Sequence, residues 1–210
     1  MQSKFTHFVA PLDQASTGRL VFLSAASGIT LLAVARLPHL ARGHFTRPVP
    51  CIEVKEGRLT LQYRRFPCFD RPVFLGEPRG EIRLNASLPW EIEFHGGISG
   101  LTAGLRGLQL RSLDILGRAD QVTLQLSAPA GTGFIYISGG AHQISLRRPA
   151  ETGVRLSALG GISNLSLDGR RFSAIAGEAR LETSGFTSST SRYEIGIAGG
   201  ASHVTISQSE

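Results

Sequence analysis

The stretch Ile135-Tyr136-Ile137-Ser138-Gly139-Gly140-Ala141-His142-Gln143-Ile144-Ser145-Leu146 carries the pattern that decides how this chain folds. Two apolar residues in alternation lead into a glycine pair, a small residue follows, and the stretch closes on apolar-hydroxyl-apolar. The same order returns in Ile92 to Thr102 around Gly96-Gly97, in Leu156 to Leu167 around Gly160-Gly161, and in Ile195 to Ile206 around Gly199-Gly200. A weaker copy runs from Leu113 to Leu124 around Gly117-Arg118. The leading glycines stand at 96, 117, 139, 160 and 199, giving spacings of 21, 22, 21 and 39, the last of which spans a degraded copy near Ala176-Gly177. A regular period of this length is the signature of a repeat architecture.

Alternating apolar positions turn one face of a strand inward, and glycine tolerates a crowded or left-handed corner between strands. One such unit cannot bury its own face, so units must stack, with neighbouring strands about 4.8 Å apart. The expected fold is therefore all-β: one β-solenoid or β-helix-like domain over residues 1–210, built of glycine-marked rungs of roughly twenty residues. Residues 91–210 form the regular repeats and residues 1–90 a divergent, basic part. An antiparallel sandwich is the structural alternative. Gly140 and Gly161 are expected at corners that branched residues cannot occupy, and Ile144 in the core.

Outward from the repeats, Leu20 to Ala35 is the most apolar stretch. It is short for a membrane span and broken by Ser24, Ser27, Gly28 and Thr30,. Ala26-Ser27-Gly28-Ile29-Thr30-Leu31 aligns with Ala201 to Ile206, with Ser24-Ala25 in the glycine-pair place, so it reads as a strand pair rather than a signal peptide or membrane span. Leu37 to Arg42 suits a short helix with Pro38 in its first turn. Cys51 to Phe66 reads as a hairpin turning at Glu56-Gly57, which sets Cys51 opposite Gln62 and leaves Cys68 too far along for a bridge. Two reduced, buried thiols are expected, pointing to a cytoplasmic setting, with secretion or the cell surface as the alternative.

The motifs Ile137-Ser138-Gly139-Gly140-Ala141-His142-Gln143-Ile144-Ser145-Leu146 and Ile197-Ala198-Gly199-Gly200-Ala201-Ser202-His203-Val204-Thr205-Ile206 resemble the repeats of bacterial putative-adhesin domains and related bacterial β-solenoids, over about residues 90 to 210. The resemblance implies architecture and an adhesive, exported setting. It carries no catalytic residues over to this chain.

The net charge of +6 sits entirely in the first part: residues 1 to 90 hold 12 Lys+Arg against 6 Asp+Glu, and residues 91 to 210 hold 10 of each. Arg36, Arg42, Arg47, Arg58, Arg64, Arg65 and Arg71, interleaved with Phe45, Tyr63, Phe66, Phe69 and Phe74, form a candidate anion- or partner-binding region,. An acidic protein partner fits it. Nucleic acid is disfavoured because no nucleic-acid motif accompanies it.

His95, His142 and His203 fall at three different phases of the repeat, and no HxH, HExxH or CxxC spacing occurs, so no metal site and no cofactor is expected. Acid pairs that could cleave a polysaccharide, Asp114 with Asp120 or Glu178 with Glu182, share no phase. The hydroxyls Thr30, Thr102, Thr123, Ser145, Ser166 and Thr205 share one outward phase, which solubility and β-propensity also favour. The functional reading is a non-enzymatic scaffold or protein-interaction module. A carbohydrate-binding or carbohydrate-active β-helix is the alternative, and anion binding by the arginines a further one. Docking of a second copy or of a partner's strand is expected at an uncapped last rung, through an open edge at His203, Val204, Thr205 and Ile206.

Overall fold

Period-two apolar patterning makes strands of most of the chain. The computed structural model describes residues 6–63 and 79–209. Over the described residues the strands run, in chain order, β1 (Thr6–Ala10), β2 (Gly18–Phe22), β3 (Ala26–Val34), β4 (Ala41–Phe45), β5 (Cys51–Lys55), β6 (Arg58–Gln62), β7 (Gly80–Asn85), β8 (Pro89–Phe94), β9 (Ile98–Gly104) and β10 (Gln109–Ile115). They continue as β11 (Ala119–Gln125), β12 (Thr132–Ile137), β13 (Ala141–Arg148), β14 (Gly153–Ala158), β15 (Ile162–Leu167), β16 (Arg170–Ile175), β17 (Ala179–Glu182), β18 (Arg192–Ile197) and β19 (Ala201–Gln208). They form two open, mixed sheets. One has ten strands in the order β1-β4-β7-β3-β9-β11-β13-β19-β15-β16, the other nine in the order β17-β14-β18-β12-β10-β8-β2-β6-β5.

Successive strand pairs give one strand to each sheet. β8–β9, β10–β11 and β12–β13 stack in parallel, in the order of the chain. At both ends that order is broken. β2–β3 lies between β6–β7 and β8–β9, and β18–β19 slots between β12–β13 and β14–β15. The stack then finishes in strands that run backwards: β4 and β5 pair antiparallel with β7 and β6, and β16 and β17 antiparallel with β15 and β14.

The core lies between the sheets, filled by the inward side chains of every pair. Ile144, Val204 and Leu165 form one such column on adjacent strands, all buried. Trp90 is fully buried directly opposite Gly18, where a Cβ would sit 2.4 Å from the indole, so the glycine makes room for the ring. The indole N–H donates to Asn85 O at 2.8 Å, as a buried polar group requires.

The leading glycines pack backbone to backbone at the corner. A Cβ on Gly96 would meet Ala25 N at 2.5 Å, one on Gly117 Gly97 N at 2.7 Å, and one on Gly139 or Gly199 a carbonyl oxygen at 2.6 Å. Just beyond, amides hand hydrogen bonds along the stack, from Ala26 to Gly97, Ile98 to Arg118, Ala119 to Gly140, Ala141 to Gly200 and Ala201 to Gly161. Gly140 itself has negative φ and only a 3.4 Å approach, so the crowding expected there belongs to Gly139, whereas Gly161 (φ +78°) holds a true left-handed corner.

Four expectations are corrected. Leu37 to Arg42 forms no helix: turn and bends lead into β4, because Asn85 Nδ2 donates to the carbonyls of Leu37 and His39 and Leu40 N donates to Ala10 O. These tertiary partners capture the groups that one isolated helical turn would have used. The degraded copy at Ala176-Gly177 joins the two backward strands β16 and β17 and is no parallel repeat. Cys51 is exposed rather than buried, although it does stand opposite Gln62 on a turn with positive φ at Glu56 and Gly57; Cys68 lies outside the described residues. The open edge at His203, Val204, Thr205 and Ile206 does not exist, since β19 is paired with β13 on one side and β15 on the other.

Candidate functional site

Where parallel strands keep one register, outward side chains line up across a sheet. On the ten-stranded sheet this produces the hydroxyl column expected from the repeat, in the spatial order Thr30, Thr102, Thr123, Ser145, Thr205, Ser166. Beside it runs a second column that the sequence reading missed. Gly28, Gly100, Gln121, Gln143, His203 and Asn164 all have φ between 52° and 68° and are skipped by the pairing on both partner strands, a left-handed position repeated in register down the stack. Gly28 and Gly100 were the available signal. Here His142 Nδ1 lies 2.7 Å from Ser202 Oγ, and the His142 and His203 rings meet at 5.3 Å although one residue out of phase. An open groove of about 770 Å³ follows the glycine corners past Arg118, His142, Ser163 and Ser202.

The outer face of the nine-stranded sheet is different in chemistry. One row starts at Val21, which is fully buried, and continues through Glu93, Asp114, Tyr136, Gly196 and Ser157; the next runs Arg19, Glu91, Ser112, Phe134, Glu194, Arg155, Glu182. Phe134 and Tyr136 are 51% and 41% exposed in the middle of it. Burial would raise the Glu93 carboxyl, but hydrogen bonds from His95, at 2.8 Å, and from Arg19 outweigh that and hold it below its ordinary value. Asp114 is pushed up, first by burial and then by Glu93 and Glu91, with only the Ser112 hydroxyl and the Arg19 charge acting against the rise.

The candidate acid pairs, which share no phase in the sequence, are not brought together by the fold either. Asp114 faces out from the nine-stranded sheet, while Asp120 begins its course in the ten-stranded one and takes a 3.4 Å hydrogen bond from Ser99. Glu178 precedes β17, and Glu182 is bound by Arg155 at 2.9 Å. The acid across from Asp114 is Glu93, 21 residues earlier, one repeat period away. Among the described residues no group of three or more His, Cys, Asp or Glu is placed to hold a metal ion.

The described arginines of the basic region do not converge. Arg42 points out from the ten-stranded sheet opposite Arg83, Arg58 begins β6 in the nine-stranded sheet opposite Arg19, and Arg36 and Arg47 sit exposed between strands. Arg64, Arg65 and Arg71 lie outside the described residues, as do Phe66, Phe69 and Phe74. Tyr63 packs against the core, its hydroxyl pushed up to about 12 by burial. Among the described residues no helix is long and apolar enough to cross a membrane.

No protein-family model and no curated protein matches the chain. A solved structure does: a putative cell adhesion protein from Clostridium sporogenes is 22% identical, with a TM-score of 0.72, over 98% of this chain and 99% of that one. At that identity the likeness speaks for the fold.

Proposed function

We propose that this chain is a non-enzymatic interaction module: one β-solenoid domain whose flat outer faces bind a partner. The reading of the fold rests on parallel strand pairs stacked between two sheets, and the fold is shared over its full length with a putative cell adhesion protein. The reading of the function rests on one observation. Phe134 and Tyr136 stand exposed side by side at the centre of the nine-stranded sheet rather than scattered singly, and exposed clusters of large apolar side chains mark binding surfaces.

A second reading is favoured by Glu93 and Asp114, neighbouring carboxyls displaced in opposite directions, the pattern of a base and an acid,. Incubating the chain with acidic and neutral polysaccharides separates the two. The module reading expects no release of reducing ends. Turnover that disappears in Asp114→Asn overturns it.

A further inference from the structure

The chain already shows how it holds a guanidinium. Arg155 lies 4.3 Å from the Phe186 ring centroid while its nitrogens donate to Glu182 Oε1 at 2.9 Å and Glu194 Oε1 at 3.0 Å. Ring on one side and carboxylates on the other satisfy both the flat face and the fork of donors.

Two and three strands away, on β12 and β10, a ring and a carboxylate recur. Tyr136 leans over Gly196 of β18, where a Cβ would come within 3.2 Å of its ring, so the missing side chain lets the ring lie against the sheet. Asp114 is its register neighbour on the other side, with Glu93 beyond. Glu93 is engaged by Arg19 and His95. Asp114 has no ion pair among the described residues, and its hydrogen bond comes from the neutral hydroxyl of Ser112. Two further carboxylates press on it from Glu93 and Glu91. An anion would be repelled here. A neutral sugar would stack on the rings but leave this repulsion standing, whereas a planar cation relieves it and stacks as well. The chain as a whole carries +6 and repels cationic ligands, so an attraction must arise at this face.

We propose that the outer face of the nine-stranded sheet binds an arginine side chain presented by an extended basic peptide of a partner protein, its guanidinium held between the Tyr136 ring and the Asp114 carboxylate. Phe134 stands two residues along the same strand, about 6.6 Å away, a spacing that matches alternate side chains of an extended peptide and offers a second ring. This deepens the interaction-module reading and rests on it.

The test titrates a fluorescent hexa-arginine peptide into the intact chain, with hexa-lysine and cellohexaose as comparison probes. Hexa-arginine should bind more tightly than hexa-lysine. Asp114→Asn and Tyr136→Ala should each weaken it by about tenfold or more, and Asp120→Asn, on the other sheet, should leave it unchanged. Phe134→Ser serves as a second aromatic variant, and thermal unfolding checks that each variant is folded. Binding should also fade on acidification as Asp114 takes up its proton. Hexa-arginine binding that is absent from wild type, or unaltered in folded Asp114→Asn and Tyr136→Ala, overturns the proposal. If cellohexaose binds instead and is lost in Tyr136→Ala, the arginine assignment fails while the interaction module stands. If neither probe binds and polysaccharide is cleaved, both fail.

Discussion

Tolerance at one position depends here on the distance to the next layer of the stack. Gly139 would drive a Cβ to 2.6 Å from the Gly117 carbonyl oxygen, while Gly140 has only a 3.4 Å neighbour. Gly139→Ala should therefore cost about 1 to 3 kcal/mol by overpacking, and Gly140→Ala should stay within about 0.5 kcal/mol, both read by chemical denaturation. The sequence pattern marks the glycine pair but treats its members alike, because which of them touches the next layer is a tertiary fact. Asp114 gives a pH-dependent counterpart. Its carboxyl is raised in the fold, so its ionised form is penalised; the contribution is favourable in acid and is lost as pH rises from the ordinary value of 3.8 through the raised one,. Asp114→Asn should accordingly stabilise the chain at neutral pH, and the gain should vanish in thermal unfolding below pH 3.8.

At the scale of elements, local pattern was sufficient where partners are adjacent in sequence and failed where they are distant. The β5–β6 hairpin could be placed to its register, Cys51 opposite Gln62, because turn and alternation sit within one short stretch. The bends from Leu37 into β4 could not, since the carbonyls of Leu37 and His39 are claimed by Asn85 from 46 to 48 residues away. Separation in sequence also hides the strap that closes over β19. Arg148, 1% exposed at the end of β13, donates to Asp168 just beyond β15, and β19 passes between them. Ser209 N also donates to Arg148 O, and Asp168 N to Ile206 O. Asp168→Ala leaves a buried guanidinium unpaired and should cost about 3 kcal/mol, whereas adding Arg148→Met should recover much of it; equilibrium denaturation of single and double variants checks both. In the core, Ile144→Ala should cost about 2 to 5 kcal/mol.

For the molecule as a whole, the repeat announces that strand pairs stack but not in which order. Ile144, Val204 and Leu165 occupy one inward column and their strands share one register, so β13 could pair as well with β15 as with β19. The observed order goes with backward strands at the end of the stack and with a connection at 183–191 whose Phe186 is buried. The result places the last strand pair of the chain inside the stack, leaves β16 and β17 at that end, and keeps the acid–aromatic face of β10, β12 and β18 continuous. Native-state amide exchange over residues 201–207 tests this most directly. With β19 paired on both sides, the strand-paired amides should exchange only through global unfolding, with the same free energy as those of β11. Fast exchange there, while β11 stays protected, would put β19 at an open edge and contradict the account.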